Sequence, residues 1–239
     1  MLATTENDRP IVIFRDAWLL DHGRKPYREV WELQKALVDR RAEDRIPDGL
    51  ILVEHDPVAT LGRRGKREDV LDPKLEVIEV ERGGEATYHG PGQLVGYPIL
   101  KLPDRLEVKR LVTDLEELLL RTCADFGLDA TREGPERGVW IGGKKIASIG
   151  LAVHRSVTFH GFALNVATDL QEFLKIRPCG HDGGIMTSME KRLGHPIDME
   201  DVKASVISHF QGVFGLTLRR VNVSELLPEV PKKRRPPRP

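Results

Sequence analysis

Between Arg82 and Pro98 the chain reads RGGEATYHGPGQLVGYP, and its five glycines constrain the fold more than any other feature. Glycine loses more backbone entropy on folding than other residues, so it gathers where φ must be positive or where another group approaches the main chain closely. Thr87, Tyr88 and His89 add a hydroxyl, a phenol and an imidazole within the same short loop. The apolar run Leu94 to Leu100 that follows reads as a buried strand. A glycine-rich polar loop feeding a core strand builds a wall suited to a ligand. On this segment alone, a plain Gly/Pro turn is the simpler alternative.

A chain of 239 residues can bury a sizeable core, as one large domain or two. Lys plus Arg equals Asp plus Glu, at 37 each, which gives no sign of a nucleic-acid or membrane-surface binder. No apolar run approaches the ~20 residues of a membrane span. The N-terminus MLATTENDRP lacks an apolar h-region and carries Glu6 and Asp8, so a cytoplasmic location is expected. Two cysteines, Cys123 and Cys179, are too few for a disulfide scaffold.

Ile11 to Phe14 reads as a first strand, and Pro26 opens a helix with Tyr27, Val30, Trp31, Leu37 and Val38 at helical spacing. Gly49 to Val53 reads as a buried strand leading into a polar loop, Glu54 to Arg64, and Leu75 to Val80 as a partly exposed strand. Leu106 to Phe126 is the clearest helix, stopped by Gly127. GVWI, Gly142-Gly143 and KKIASIGLAV read as a hairpin, and Ser156 to Val166 as a strand with a bulge at Gly161. Asp198 caps a helix carrying Val202, Val206, Phe210 and Val213, and Leu216 to Val221 returns to strand. The order is neither βαβ alternation nor all-β. It predicts one α+β domain over 1–227, a mixed β-sheet flanked by helices, and a disordered basic tail, 228–239.

Cys179 lies in IRPCGHDGG, a Pro/Gly loop where a reactive thiol is an open reading, whereas Cys123 falls on the apolar face of a helix and reads as an inert small hydrophobe. Strand alternation from Lys145 places Lys145, Ala147 and Ile149 on one side and Ile146, Ser148 and Gly150 on the other. Lys144 is the better candidate for an ordinary solvated lysine. The eight histidines show no metal-ligand spacing, so no metal is expected. Neither GxxxxGK[ST] nor GxGxxG occurs.

EHDPVATLGR (54 to 63), RGGEATYHGPGQLVGYP (82 to 98), GGKKIASIGLAV (142 to 153), TFHGFALNV (158 to 166) and PCG (178 to 180) together resemble the lipoyl(octanoyl) transferases. The resemblance implies an octanoyl transfer from octanoyl-acyl carrier protein to a lysine of lipoyl domains. The acceptors would be 2-oxoacid dehydrogenase E2 subunits and the glycine cleavage H protein. It implies Cys179 as nucleophile and Lys145 as its activating partner. The implied substrate lining is Arg82, Gly83, Gly84, Glu85, Ala86, Thr87, Tyr88 and His89, then Ser148, Ile149 and Gly150, then Gly161, Phe162 and Ala163. It further implies the fold of biotin and lipoate protein ligases, no cofactor, and a monomer. A thiolate accepts and then releases an acyl group, and a neighbouring ammonium favours the thiolate. Backbone N–H groups near Gly180 or in the glycine-rich loop are candidate oxyanion donors. Three alternatives stay open: an ATP-dependent lipoate or biotin ligase, a non-catalytic acyl-binding module, and a hydrolase pairing Cys179 with His89.

Overall fold

The computed structural model describes residues 15–104 and 107–228. The expected strand Ile11 to Phe14, Leu106, and all of the basic tail after Pro228 lie outside the described residues. In chain order the elements are β1 (Arg15–Lys25), α1 (Tyr27–Ala42), β2 (Gly49–His55), β3 (Val58–Leu61), β4 (Val77–Glu79), β5 (Ala86–His89) and β6 (Gln93–Ile99). They continue as α2 (Glu107–Asp125), β7 (Gly138–Ile141), β8 (Lys144–His154), β9 (Val157–Asn165), α3 (Met189–Leu193), α4 (Met199–Phe214), β10 (Leu216–Arg220) and α5 (Val223–Leu226).

Seven strands form the main sheet in the order β10-β1-β2-β6-β9-β8-β7, and β4-β3-β5 form a smaller one. β1 pairs in parallel with both neighbours, and the remaining ladders of the main sheet are antiparallel. The mixed sheet flanked by helices matches the expected class. In β2 the pleat sends Leu50 and Leu52 into the core shared with α2 and α4, and Ile51 and Val53 into the core under α1. α2 commits Leu111, Leu115, Leu118, Leu119 and Cys123 to that first core, each buried leucine contributing roughly 1.5–3 kcal/mol. It stops at Gly127, whose φ of 73° a Cβ would disfavour. Asp198 caps α4 as expected, its carboxylate accepting from Glu200 N–H at 2.9 Å.

Four expectations need correction. The polar stretch after β2 is not all loop, because β3 pairs with both β4 and β5 inside it. Thr87, Tyr88 and His89 are likewise in a strand, β5, and are buried. β9 pairs with β8 continuously through Gly150–Gly161, so there is no bulge at Gly161, and the irregular residue is its neighbour His160 at φ 56°. The bulge lies in β8 instead. Val139 faces Ala147 and Trp140 faces Lys145, leaving Ile146 extra. Ile146 and Ala147 therefore pack consecutively into the same core, and Lys145 switches to the side of Ser148 and Gly150.

Candidate active site

A cavity of about 380 Å³ opens between the glycine-rich segment, β8, β9 and the start of α2. That size suits a small ligand or one arm of a larger one. Arg82 to Thr87 and His89 line it from the glycine-rich side, and Ser148, Ile149 and Gly150 with Gly161, Phe162 and Ala163 line it from the sheet. Tyr88 is the exception among the expected lining residues. It points to the other side of β5 and meets Phe173 edge-on at 5.5 Å, in the small core beneath the second sheet. Of the two leading glycines only Gly84 needs positive φ, at 88°; a Cβ on Gly83 would find nothing nearer than Leu151 O at 3.7 Å.

Lys145 is buried at 6% exposure and lies on the cavity wall, its Nζ 5.3 Å from the centroid of the Trp140 ring. Its carbonyl accepts from Thr187 N–H at 2.9 Å, and its backbone bridges to Met186. This contact joins the strand lysine to Met186 and Thr187, downstream of Cys179. Cys179 sits in a single 3₁₀ turn, Pro178–Gly180, and Pro178 and His181 on either side line the same cavity. A second turn, Gly183–Ile185, is capped by Asp182, whose Oδ1 accepts from Gly184 N–H at 2.7 Å. Lys144 is exposed, yet its Nζ donates to Gly184 O at 2.7 Å, so it clasps this turn and is not simply solvated. The N–H groups of Gly180 and Gly83 already donate, to Arg177 O and Leu151 O, which removes both from the candidate oxyanion donors. Cys123 is fully buried, and burial pushes its thiol up to about 12.

The polar floor of the cavity extends beyond the residues the sequence singles out. Tyr27, Tyr97 and His160 join His89 there, with His55 packed behind. Asn165 Nδ2 donates to Thr187 O, Gln93 Nε2 donates to Asn165 Oδ1 and Tyr88 O, and Gln93 Oε1 is left to accept from His89 Nδ1 at 2.7 Å. His89 Nε2 then faces the Thr60 hydroxyl at 3.5 Å. Burial holds His89 well below its ordinary value, so it is a neutral imidazole bound into the scaffold at both nitrogens. That arrangement weakens the hydrolase alternative. His55 donates from Nδ1 to Lys25 O and accepts from the Tyr97 hydroxyl at 2.7 Å, and burial lowers it to about 4. His160, lowered to about 4 chiefly by burial, lies 3.3 Å from the Tyr27 hydroxyl and 3.4 Å from Glu81. Tyr27 had read only as one more apolar position of α1, and Val108 and Val112 on α2 gave no signal beyond helical spacing.

Among the described residues no group of three or more His, Cys, Asp or Glu is placed to hold a metal, and no helix is long and apolar enough to cross a membrane. The fold is that of lipoate-handling ligase domains. A crystal structure of lipoate-protein ligase A bound with ATP superposes with a TM-score of 0.70 at 17% identity, covering 88% of this chain and 92% of that one. The bipartite lipoate protein ligase of Thermoplasma acidophilum, solved in a study with its E2 lipoyl domain, gives 0.68 at 17% identity, over 89% and 90%. The chain belongs to the lipoyl protein ligase A/B catalytic domain family, whose profile matches residues 26–211. Within it the chain groups with acyltransferases. The octanoyltransferase of Syntrophotalea carbinolica is 46% identical over 86% of this chain and 98% of the relative. That of Geobacter metallireducens is 46% identical over 80% and 90%.

Proposed function

We propose that the protein transfers an octanoyl group from octanoyl-acyl carrier protein to the ε-amine of a lysine on lipoyl domains. The acyl group rests on Cys179 between the two half-reactions. What supports this reading is that Lys145 lines one cavity with Pro178 and His181, the residues flanking Cys179 and Gly180, in a chain 46% identical to octanoyltransferases. The expected acceptors are E2 subunits of 2-oxoacid dehydrogenases and the glycine cleavage H protein.

In the resting enzyme Lys145 is an ammonium and Cys179 a thiolate. The thiolate attacks the thioester carbonyl, and the C–S bond to the carrier breaks. The departing carrier sulfur takes its proton from Lys145, leaving a neutral amine. In the second half the acceptor amine attacks the acyl-enzyme, gives its proton to Lys145, and expels the Cys179 thiolate. Both residues end as they began. Val108, Ile149, Leu151 and Phe162 on the cavity wall supply apolar surface for the alkyl tail.

Intact-protein mass spectrometry tests the reading. Octanoyl-acyl carrier protein alone is expected to leave a hydroxylamine-labile octanoyl adduct on Cys179. An adduct on Cys123, full activity in Cys179→Ala, or transfer only with ATP plus free octanoate would overturn it, the last in favour of an ATP-dependent ligase.

A further inference from the structure

Glu116 is a buried carboxylate with no part in the chemistry above. It projects from α2 at 1% exposure, among leucines. Its Oε1 accepts from Gly138 N–H at 3.2 Å. Its Oε2 has no hydrogen-bond partner, yet lies 3.6 Å from Arg132 and 3.5 Å from Arg137. A buried acid is costly unless paired, and among the described residues this one is paired with the segment 132–138 that runs into β7.

That segment and the strand it enters, β7, meet Lys145 at two points. Gly138, at φ 137°, lies against the lysine stem so closely that a Cβ there would come within 2.8 Å of Lys145 Cε. Trp140, whose ring lies beside the ammonium, donates from its indole to Glu136 O at 3.0 Å. Gly134 packs flat on the same ring. Glu136 and Arg137 continue onto the cavity wall. The carboxylate on α2, with the Glu117–Arg132 pair beside it, thus holds the loop, and the loop bears on the two lysine contacts just described.

We infer that Glu116 is a positioning residue: by clamping Gly138, Arg132 and Arg137 it sets the Lys145 ammonium where it serves Cys179. This role rests on the Lys145–Cys179 reading proposed above. A misplacement of about 1 Å is enough to cost ~10²-fold in rate. Glu116→Gln keeps an acceptor for Gly138 but removes the charge between the arginines, so it loosens the clamp without emptying the site.

The test compares wild type, Glu116→Gln, Lys145→Ala and the double variant as full-length chains. The readouts are the pH dependence of Cys179 alkylation by iodoacetamide, located by peptide mass spectrometry, and kcat and KM for octanoyl transfer. Glu116→Gln is expected to move the alkylation profile to higher pH, toward that of Lys145→Ala. It is expected to lower kcat by roughly 10- to 100-fold with little change in KM. In the Lys145→Ala background it should add no further shift. A wild-type profile in folded Glu116→Gln, or the same shift on top of Lys145→Ala, overturns the positioning role alone. A wild-type profile in Lys145→Ala overturns the dyad and this role with it. If Glu116→Gln does not fold, Arg132→Ala, a substitution on the exposed loop, takes its place. It should give a smaller shift of the same sign, and an unchanged profile overturns the inference.

Discussion

Lys144 and Lys145 are neighbours with opposite fates, and the bulge at Ile146 decides which one enters the cavity. Lys145→Ala should raise the pH midpoint of Cys179 alkylation by about one unit or more, since an opposite charge within ~4–6 Å shifts a pKa by about 1–3. Lys144→Ala should leave that midpoint unmoved, because its ammonium is exposed and donates to the Gly184 carbonyl. Equal profiles in the two variants would refute the assignment. Gln93 is a second residue whose removal has a clear outcome. Gln93→Ala strands His89 Nδ1–H, Asn165 Oδ1 and Tyr88 O in the interior, and each buried unsatisfied group costs about 1–3 kcal/mol. A fall in urea stability of at least ~2 kcal/mol is expected; a change within ±0.5 kcal/mol would mean water replaces the amide. Individual polar roles were legible where the residue stood in one of the distinctive segments, such as RGGEATYH or KKIASIG. Gln93, Tyr97 and Asn165 lie in strands that read simply as buried, so their network had no sequence signature.

The elements that could be read directly were those whose own pattern is complete. The β7–β8 hairpin announces itself by Gly142-Gly143 between two strand-like runs, and α2 by its leucine face. β1 was missed because RDAWLLDHGRK holds only four consecutive buried residues, Ala17 to Leu20, amid charges that its parallel neighbours and α4 accommodate. β3 and β5 were missed because four residues carry too little pattern of their own, and both strands are defined by pairing, β3 with β4 and β5 alike. The bulge in β8 is likewise a property of two strands, so simple alternation put Lys145 on the wrong face. α2 has a second duty. While Leu111 and Leu115 face the core, Val108 and Val112 one turn apart flank the cavity. Val112→Phe should therefore narrow the acyl site more than it destabilises the fold, which is measured by urea unfolding alongside transfer kinetics. The expected result is a larger rise in KM for octanoyl than for butyryl donors, with stability within about 1.5 kcal/mol of wild type. An equal rise for both donors would place the alkyl tail elsewhere.

At the scale of the whole molecule, three buried histidines stand together around one cavity floor. His55 and His160 are lowered to about 4, and His89 is also strongly lowered, all chiefly by burial. In the unfolded chain they titrate near ~6.5. The unfolded state therefore binds more protons below that pH, and stability is full above ~6.5 and drains as pH falls toward 4. The unfolding free energy should decline between pH 6.5 and 5 with a slope approaching three protons, and a flat profile there would show these imidazoles to be wet. The order of the main sheet bears on how the chain is made. β1, among the first residues described, lies between β2 and β10, and its outer ladder waits for residues 216–220. On a ribosome that ladder stays open while some two hundred residues emerge, a long loop to close and a sticky edge to leave bare. A chain released before Leu216 would carry a nearly complete cavity and a strand left permanently unpaired along one edge. Such a fragment should associate with itself, or with a chaperone, through the one strand that β10 would have covered.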